Sequence, residues 1–276
     1  MNEIRFAKYS GSGNDFIMID NRDGAFPAGR ELIGRMCARR FAVGADGLIL
    51  VEPSMKAAVS MRYYNSDGGE AEMCGNGARC FVAFAGELGI PVAPLVFETM
   101  ERVLSGRPDG ENVTVEMGEV RDTRLDFSLS VEGAAHQAHF TNTGVPHVVL
   151  FAEDLEGIDV AAHGRAIRFH EEFQPSGANV NFVRVQEDGS VTVRTYERGV
   201  EGETLACGTG VVAAAVIAHL VAKLEPPVKV RVRSGDVLTV GFRREGETFS
   251  KVTLSGPAVH VYDGVYRVGD VVGDMS

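Results

Sequence analysis

The chain has little of what a secreted, metal-stapled or nucleic-acid-binding protein needs. Its 276 residues hold only four cysteines, Cys37, Cys74, Cys80 and Cys207, too few for a disulfide scaffold, and a reducing compartment keeps such sparse thiols free. No C-x-x-C pair occurs and five residues separate Cys74 from Cys80, so structural zinc is a poor fit. Basic residues form nothing longer than pairs such as Arg39-Arg40, and the formal charge is −11. Nucleic acid and anionic membranes are therefore poor partners, and a small molecule is the better expectation. The segment Met1 to Asp15 carries Glu3, Arg5, Lys8 and Asp15 and lacks the apolar run of a secretory signal, which points to the cytoplasm. The longest apolar stretch, Val211 to Ala222, is interrupted by His219 and falls short of the roughly 20 residues that span a bilayer. It reads as a buried helix. With 45% hydrophobic residues, the chain can fill the cores of two modest domains.

What the sequence does have is the same punctuation twice. Cys74-Gly75-Asn76-Gly77 recurs as Cys207-Gly208-Thr209-Gly210 at an offset of 207 − 74 = 133. Gly69-Glu70 recurs as Gly202-Glu203, Gly44-Ala45 as Gly177-Ala178, and Gly11 as Gly144, all at that offset, while Tyr64-Asn65 and Tyr196-Glu197 slip to 132. Landmarks in one order and one register indicate a duplicated domain. Each half should be a mixed α/β unit, with strands such as Leu48 to Val51 and Ala58 to Tyr64, or Val180 to Val185 and Ser190 to Tyr196. A glycine-rich turn and a helix opening at the cysteine should follow. Residues 107 to 111 and 244 to 247 look like hairpin turns. The boundary is expected near Gly118, with the tail from Asp263 returning to the first domain. One half would then be 1–118 plus 263–276, carrying Cys74, and the other 119–262, carrying Cys207. The helices after the thiols are rich in alanine (Ala78, Ala83 and Ala85; Ala213, Ala214, Ala215 and Ala218), which lets strands pack closely around a central helix.

A cysteine opening a helix sits where backbone N–H groups and the positive dipole end favour an anion. Such positions lower a thiol pKa from about 8.5 to roughly 3.5–7.5, which makes a usable base. The flanking glycines let a ligand approach the backbone donors. Two such helix ends across an interdomain cleft suit an α-amino acid: the N–H groups hold its carboxylate, Cys74 or Cys207 removes the α-proton, and the other thiol protonates the opposite face. Cysteine is otherwise a small buried hydrophobe, the reading kept for Cys37 and Cys80. A cysteine phosphatase loop needs C-x5-R, whereas only four residues separate Cys74 from Arg79.

Three segments carry a resemblance. They are Gly11-Ser12-Gly13-Asn14-Asp15-Phe16, the run from Tyr64-Asn65-Ser66-Asp67 through Cys74-Gly75-Asn76-Gly77-Ala78-Arg79, and Glu197-Arg198-Gly199 ahead of Cys207-Gly208-Thr209-Gly210. In order and over essentially the whole chain they resemble the diaminopimelate epimerases. The resemblance implies an α/β (α+β) fold of two pseudo-symmetric domains, each a central helix wrapped by a mostly antiparallel curved sheet, with the active site in the interdomain cleft. It implies cofactor-independent and metal-independent interconversion of LL- and meso-diaminopimelate, in lysine and peptidoglycan precursor synthesis, by a cytoplasmic homodimer. It implies Cys74 and Cys207 as catalytic residues. Asn14, Asn65, Gly75, Asn76, Asn179, Glu197, Arg198, Gly208 and Thr209 are implied as substrate-binding, and His147 and Glu197 as groups that tune the thiols. Two positions depart from the common pattern. Gly47 stands where many relatives have Gln, and Val145 where many have Asn, so two usual substrate contacts are missing; Asn142 is the candidate to replace the second. The segment between Arg198 and Cys207 is also one residue longer than the familiar short form. Related racemases act on simpler amino acids, which leaves substrate breadth open.

Overall fold

The computed structural model describes residues 3–71 and 74–269. Contacts divide the chain into two compact units, one reaching to Val113 and resuming at Ala258, the other running from Thr114 to Pro257.

The first unit contains β1 (Glu3–Gly11), β2 (Asn14–Asp20), α1 (Arg30–Cys37), β3 (Gly47–Glu52), β4 (Val59–Asn65), β5 (Glu70–Ala71), α2 (Gly75–Glu87), β6 (Leu95–Glu98) and β7 (Val103–Asp109). Strands β2 and β3 are parallel, as are β4 and β6. Parallel neighbours need a crossover, and α1 supplies the first and α2 the second. The remaining pairs, β1 with β2, β3 with β4, β4 with β5 and β6 with β7, are antiparallel. With a helix on each face of the sheet, β3 is buried on both sides, which is why Leu48, Ile49, Leu50 and Val51 form an unbroken apolar run, each fully buried. Period-two alternation divides the side chains between the faces. Ile17, Leu48, Leu50 and Tyr64 join Ile33 and Met36 of α1 in one cluster. Phe16 and Ile49 point the other way: a Cβ added to Gly77 of α2 would sit 3.4 Å from Phe16 Cε1 and 2.8 Å from Ile49 Cδ1.

The second unit repeats this plan. Strand β8 (Asn112–Val131) starts at the boundary, followed by β9 (Ala134–Asn142), β10 (Pro146–Phe151), α3 (Val160–Arg168), a 3-10 turn at Glu171–Phe173, β11 (Asn179–Val185), β12 (Val191–Glu197) and β13 (Gly202–Thr204). Helix α4 (Gly208–Ala222) and strands β14 (Val228–Arg231), β15 (Val237–Glu245) and β16 (Thr248–Pro257) complete it. Strands β10 and β11 are parallel across α3, and β12 and β14 are parallel across α4. Val148, Leu150, Val180, Phe182 and Tyr196 pack with Val160 and Ile167 of α3, as their counterparts do with α1. Helix α4 is fully buried from Val211 to Ala218, and small side chains let it lie inside the sheet's curve. Its last turn emerges, with Val221 39% exposed, so the apolar stretch is buried for only part of its length. The last strand, β17 (Val259–Arg267), pairs antiparallel with β1 and so belongs to the first unit. Strands β15 and β16 are joined at Gly246-Glu247 as a hairpin, and Gly110-Glu111 makes the matching turn between β7 and β8. Gly110 and Gly246 take φ of 63° and 66°, the left-handed region where glycine carries no Cβ penalty. The sequence missed α1 and α3, the helices on the outer faces.

Candidate active site

In the first unit, Cys74 is the N-cap residue of α2, with extended backbone (φ −120°, ψ 121°) and a half-buried side chain. The helical ladder begins with the Ala78 N–H donating to the Cys74 carbonyl at 2.8 Å, so the N–H groups of Gly75, Asn76 and Gly77 precede it. Gly75, Asn76 and Gly77 are all buried. Strand register brings five sheet positions to this helix end. Phe16 lies beside Gly47, and Gly47 beside Asn65, while Tyr63 lies beside Ile49. Asn14, two residues before Phe16, shares the face by alternation. Its carboxamide oxygen accepts from Asn76 Nδ2 at 2.6 Å, and its Nδ2 donates to Asp46 Oδ2 at 3.1 Å. Asn65 is exposed at the end of β4, where its backbone closes a turn with Gly68 and Gly69.

Gly47 has a steric reason. A Cβ there would lie 2.5 Å from Tyr63 Cε2 and 2.6 Å from the Tyr64 carbonyl, with the Tyr63 hydroxyl at 3.2 Å. The Tyr63 ring therefore fills the space of a longer side chain at position 47. Tyr63 was missed in the sequence because the two residues meet only through the β3–β4 register.

In the second unit, Cys207 caps α4 with the same extended backbone (φ −114°, ψ 109°) and is 6% exposed. Its Sγ lies 3.4 Å from Thr209 Oγ1, and the Thr209 carbonyl accepts from Thr143 Oγ1 at 3.2 Å. A Cβ on Gly210 would meet Asn181 Oδ1 at 2.5 Å and Thr195 Oγ1 at 3.3 Å, so glycine there allows two polar side chains to pack against the first helical turn. Asn181 and Thr195 are register neighbours, and His147 lies beside Asn179. By register, then, His147, Asn181 and Thr195 occupy the places that Phe16, Ile49 and Tyr63 hold in the first unit. One thiol-bearing helix starts over a largely apolar floor and the other over a hydrogen-bonded polar one.

That polar floor fixes His147. Asn181 Nδ2 donates to His147 Nδ1 at 3.1 Å and to the Val148 carbonyl at 3.0 Å, while Asn181 Oδ1 accepts from Thr195 Oγ1 at 3.0 Å. A ring nitrogen that accepts carries no proton, so the proton of the neutral imidazole is on Nε2. Burial, with the Arg198 charge adding to it, pushes the His147 pKa down to about 3. The imidazole is neutral near pH 7, and its Nε2 is buried without a hydrogen-bond partner. Asn179 is occupied on both ends, with Oδ1 accepting from the Arg198 backbone N–H at 2.8 Å and Nδ2 donating to the Pro146 carbonyl at 3.3 Å. Arg198 reaches the Ser176 carbonyl through Nη1 at 3.2 Å, and Glu197 is half-buried beside it. Asn142 Oδ1 accepts from the Gly144 N–H at 3.0 Å. That bond ties the Asn142 side chain to the turn ahead of β10.

The other two cysteines stand apart. Cys37 and Cys80 are buried, and burial pushes both thiols up to about 12. They are inert packing groups.

Among known proteins, the diaminopimelate epimerase family model matches residues 6–123 and 139–261. The chain is 43% identical to the diaminopimelate epimerase of Aquifex aeolicus over 274 residues, covering 95% of this chain and 97% of that one. It is 40% identical to the diaminopimelate epimerase of Archaeoglobus fulgidus, covering 99% of each. Solved structures share the fold at low identity. A PhzF-family phenazine biosynthesis protein from Bacillus anthracis matches with a TM-score of 0.76 at 18% identity, covering 97% of this chain and all of the other. A hydroxyproline epimerase from Agrobacterium vitis matches at 0.72 and 16%, covering 98% and 95%. With a family model spanning both units and relatives of this identity over nearly the full length, the chain belongs to the diaminopimelate epimerase family.

Proposed function

We propose that this chain is a cofactor-independent isomerase that interconverts LL- and meso-diaminopimelate, with one thiolate taking the α-proton and the other thiol delivering a proton to the opposite face. The observation that carries this reading is the matched pair of cysteines at helix N-cap positions, Cys74 and Cys207, at equivalent points of two units with the same topology. The N–H groups at Gly75-Asn76 and Gly208-Thr209 are suited to a carboxylate, whose negative charge grows as the α-carbon loses its proton. Asn14, Asn65, Asn179, Glu197 and Arg198 complete the substrate contacts. Glu197 and the neutral His147 adjust the thiols, and His147 does so as an N–H donor. Incubating the purified, chelator-treated chain with LL-diaminopimelate tests the reading: meso product should accumulate to equilibrium, and conversion only of a simpler amino acid would redirect it.

The enzyme acts in the cytoplasm on a small molecule, and no helix among the described residues is long and apolar enough to cross a membrane. We further propose a homodimer formed through β17, where Val259, Val261, Tyr262 and Val265 are 45–55% exposed, a density of apolar surface suited to an interface. The native mass should be twice 29.6 kDa, and Val259→Glu with Val265→Glu should return it to the monomer value. A wild-type monomer, or a dimer indifferent to these changes, would remove the proposal.

A further inference from the structure

Asn14 and Asn76 belong to a longer chain of hydrogen bonds in the first unit, and its two ends have opposite chemistry. Arg79 is fully buried in α2, and its Nη2 donates to Asn76 Oδ1 at 2.9 Å and to Ser12 Oγ at 3.0 Å. Asn76 Nδ2 donates to Asn14 Oδ1, and Asn14 Nδ2 donates to Asp46 Oδ2. A guanidinium only donates and a carboxylate only accepts. Each end alone therefore imposes the same direction on both amides, and neither can flip without setting donor against donor or acceptor against acceptor. The carboxylate end is itself surrounded by donors. Asp46 Oδ1 accepts from Arg39 Nη2 at 2.8 Å, and Oδ2 also accepts from the Asp15 N–H at 3.2 Å. Asp15 is held in turn by Arg39 and by the buried Lys8, whose Nζ lies 2.7 Å away.

We infer that Asp46 and Arg79 are positioning residues that anchor a one-way relay, Arg79 to Asn76 to Asn14 to Asp46, which presents Asn14 to the substrate as an N–H donor. The relay deepens the proposed function and rests on it for the identity of the ligand. Asn14 Nδ2 has two protons, and Asp46 takes one. The other is the group offered to a substrate carboxylate, and its direction is fixed before the substrate arrives, so no ordering of the side chain is needed on binding. Asn76, whose backbone N–H lies at the α2 start, is aligned by the same relay, so side-chain and backbone donors are set together.

Kinetics and exchange test this separately. Asp46→Ala removes the acceptor, and kcat/KM for LL-diaminopimelate should fall about tenfold, mostly through KM, the loss of one hydrogen bond to a charged group. In an Asn14→Ala background the same change should cost no more than about twofold. Asp46→Asn should recover most of the loss, since its amide oxygen can face Asn14 while the exposed Arg39 turns to solvent; it also serves if the alanine variant folds poorly. Without substrate, solvent exchange of the Asn14 side-chain amide protons, followed by NMR, should rise about tenfold in Asp46→Ala while the α2 backbone amides are unchanged. Unchanged Asn14 exchange, or kinetic effects that add fully with Asn14→Ala, would overturn the relay. If the exchange result holds but the wild type leaves diaminopimelate untouched, the substrate reading fails and the relay stands.

Discussion

Replacing either Cys74 or Cys207 by alanine should lower epimerisation of LL-diaminopimelate by about 10²- to 10⁴-fold, the contribution of a general acid or base. Cys37→Ala and Cys80→Ala should stay near wild type. The contrast follows from position. Cys74 and Cys207 are the N-cap residues of α2 and α4, at the helix ends where N–H groups outside the ladder and the positive dipole favour an anion. Cys37 lies at the end of α1, and Cys80 is fully buried in the second turn of α2, both in surroundings that hold the proton on sulfur. The same difference predicts that a thiol-alkylating reagent at neutral pH inactivates the enzyme while Cys37 and Cys80 remain unmodified in the mass spectrum. A single Cys74→Ala or Cys207→Ala enzyme keeping more than a tenth of wild-type activity would remove that thiol from the mechanism.

His147 should make the fold acid-sensitive. Its folded-state pKa of about 3 lies below the ordinary value near 6.5, so between those values the unfolded chain binds the proton and the native protein does not. Stability from this group is complete above pH 6.5 and declines as the pH falls toward 3. Over the whole window the loss approaches about 5 kcal/mol, and by pH 4 it is about 3 kcal/mol. A His147→Gln protein should lose correspondingly less between pH 7 and pH 4 in urea titrations, because glutamine has no proton to gain. Parallel pH dependences for the two proteins would show that His147 charges freely in the folded state. The fixed tautomer also means that a neutral ring whose Nδ1 already accepts from Asn181 has only its Nε2–H left to donate.

The repeat was legible because turns and helix starts demand particular residues at particular places. Gly110 and Gly246 sit at positive φ, and Cys74 and Cys207 open the two helices that complete the parallel crossovers. The outer helices were not legible: α1 has eight residues and α3 nine, too short for a strong periodic signal. Within the candidate site, residues near a motif can be proposed from the sequence, and residues joined to it only by register cannot. Asn181 had a signal, a polar residue alternating with Asn179 inside the apolar run Val180 to Val183, but its link to Thr195 and His147 exists only through the β10–β11–β12 pairing. Asp46 and Arg79 are 33 residues apart, and nothing short of the fold brings them to the two ends of one relay. Likewise, the reason for Gly47 lies in the Tyr63 ring packed against it, two residues away from its register partner Asn65.

The decisive measurement is the isotopic content of both isomers during the first few per cent of conversion of LL-diaminopimelate in deuterium oxide. Transfer between separate groups predicts meso product carrying one deuteron at the inverted α-carbon while the recovered LL isomer remains unlabelled. Product that keeps the original proton would mean that a single residue removes and returns it, and the pairing of Cys74 with Cys207 would have to be given up.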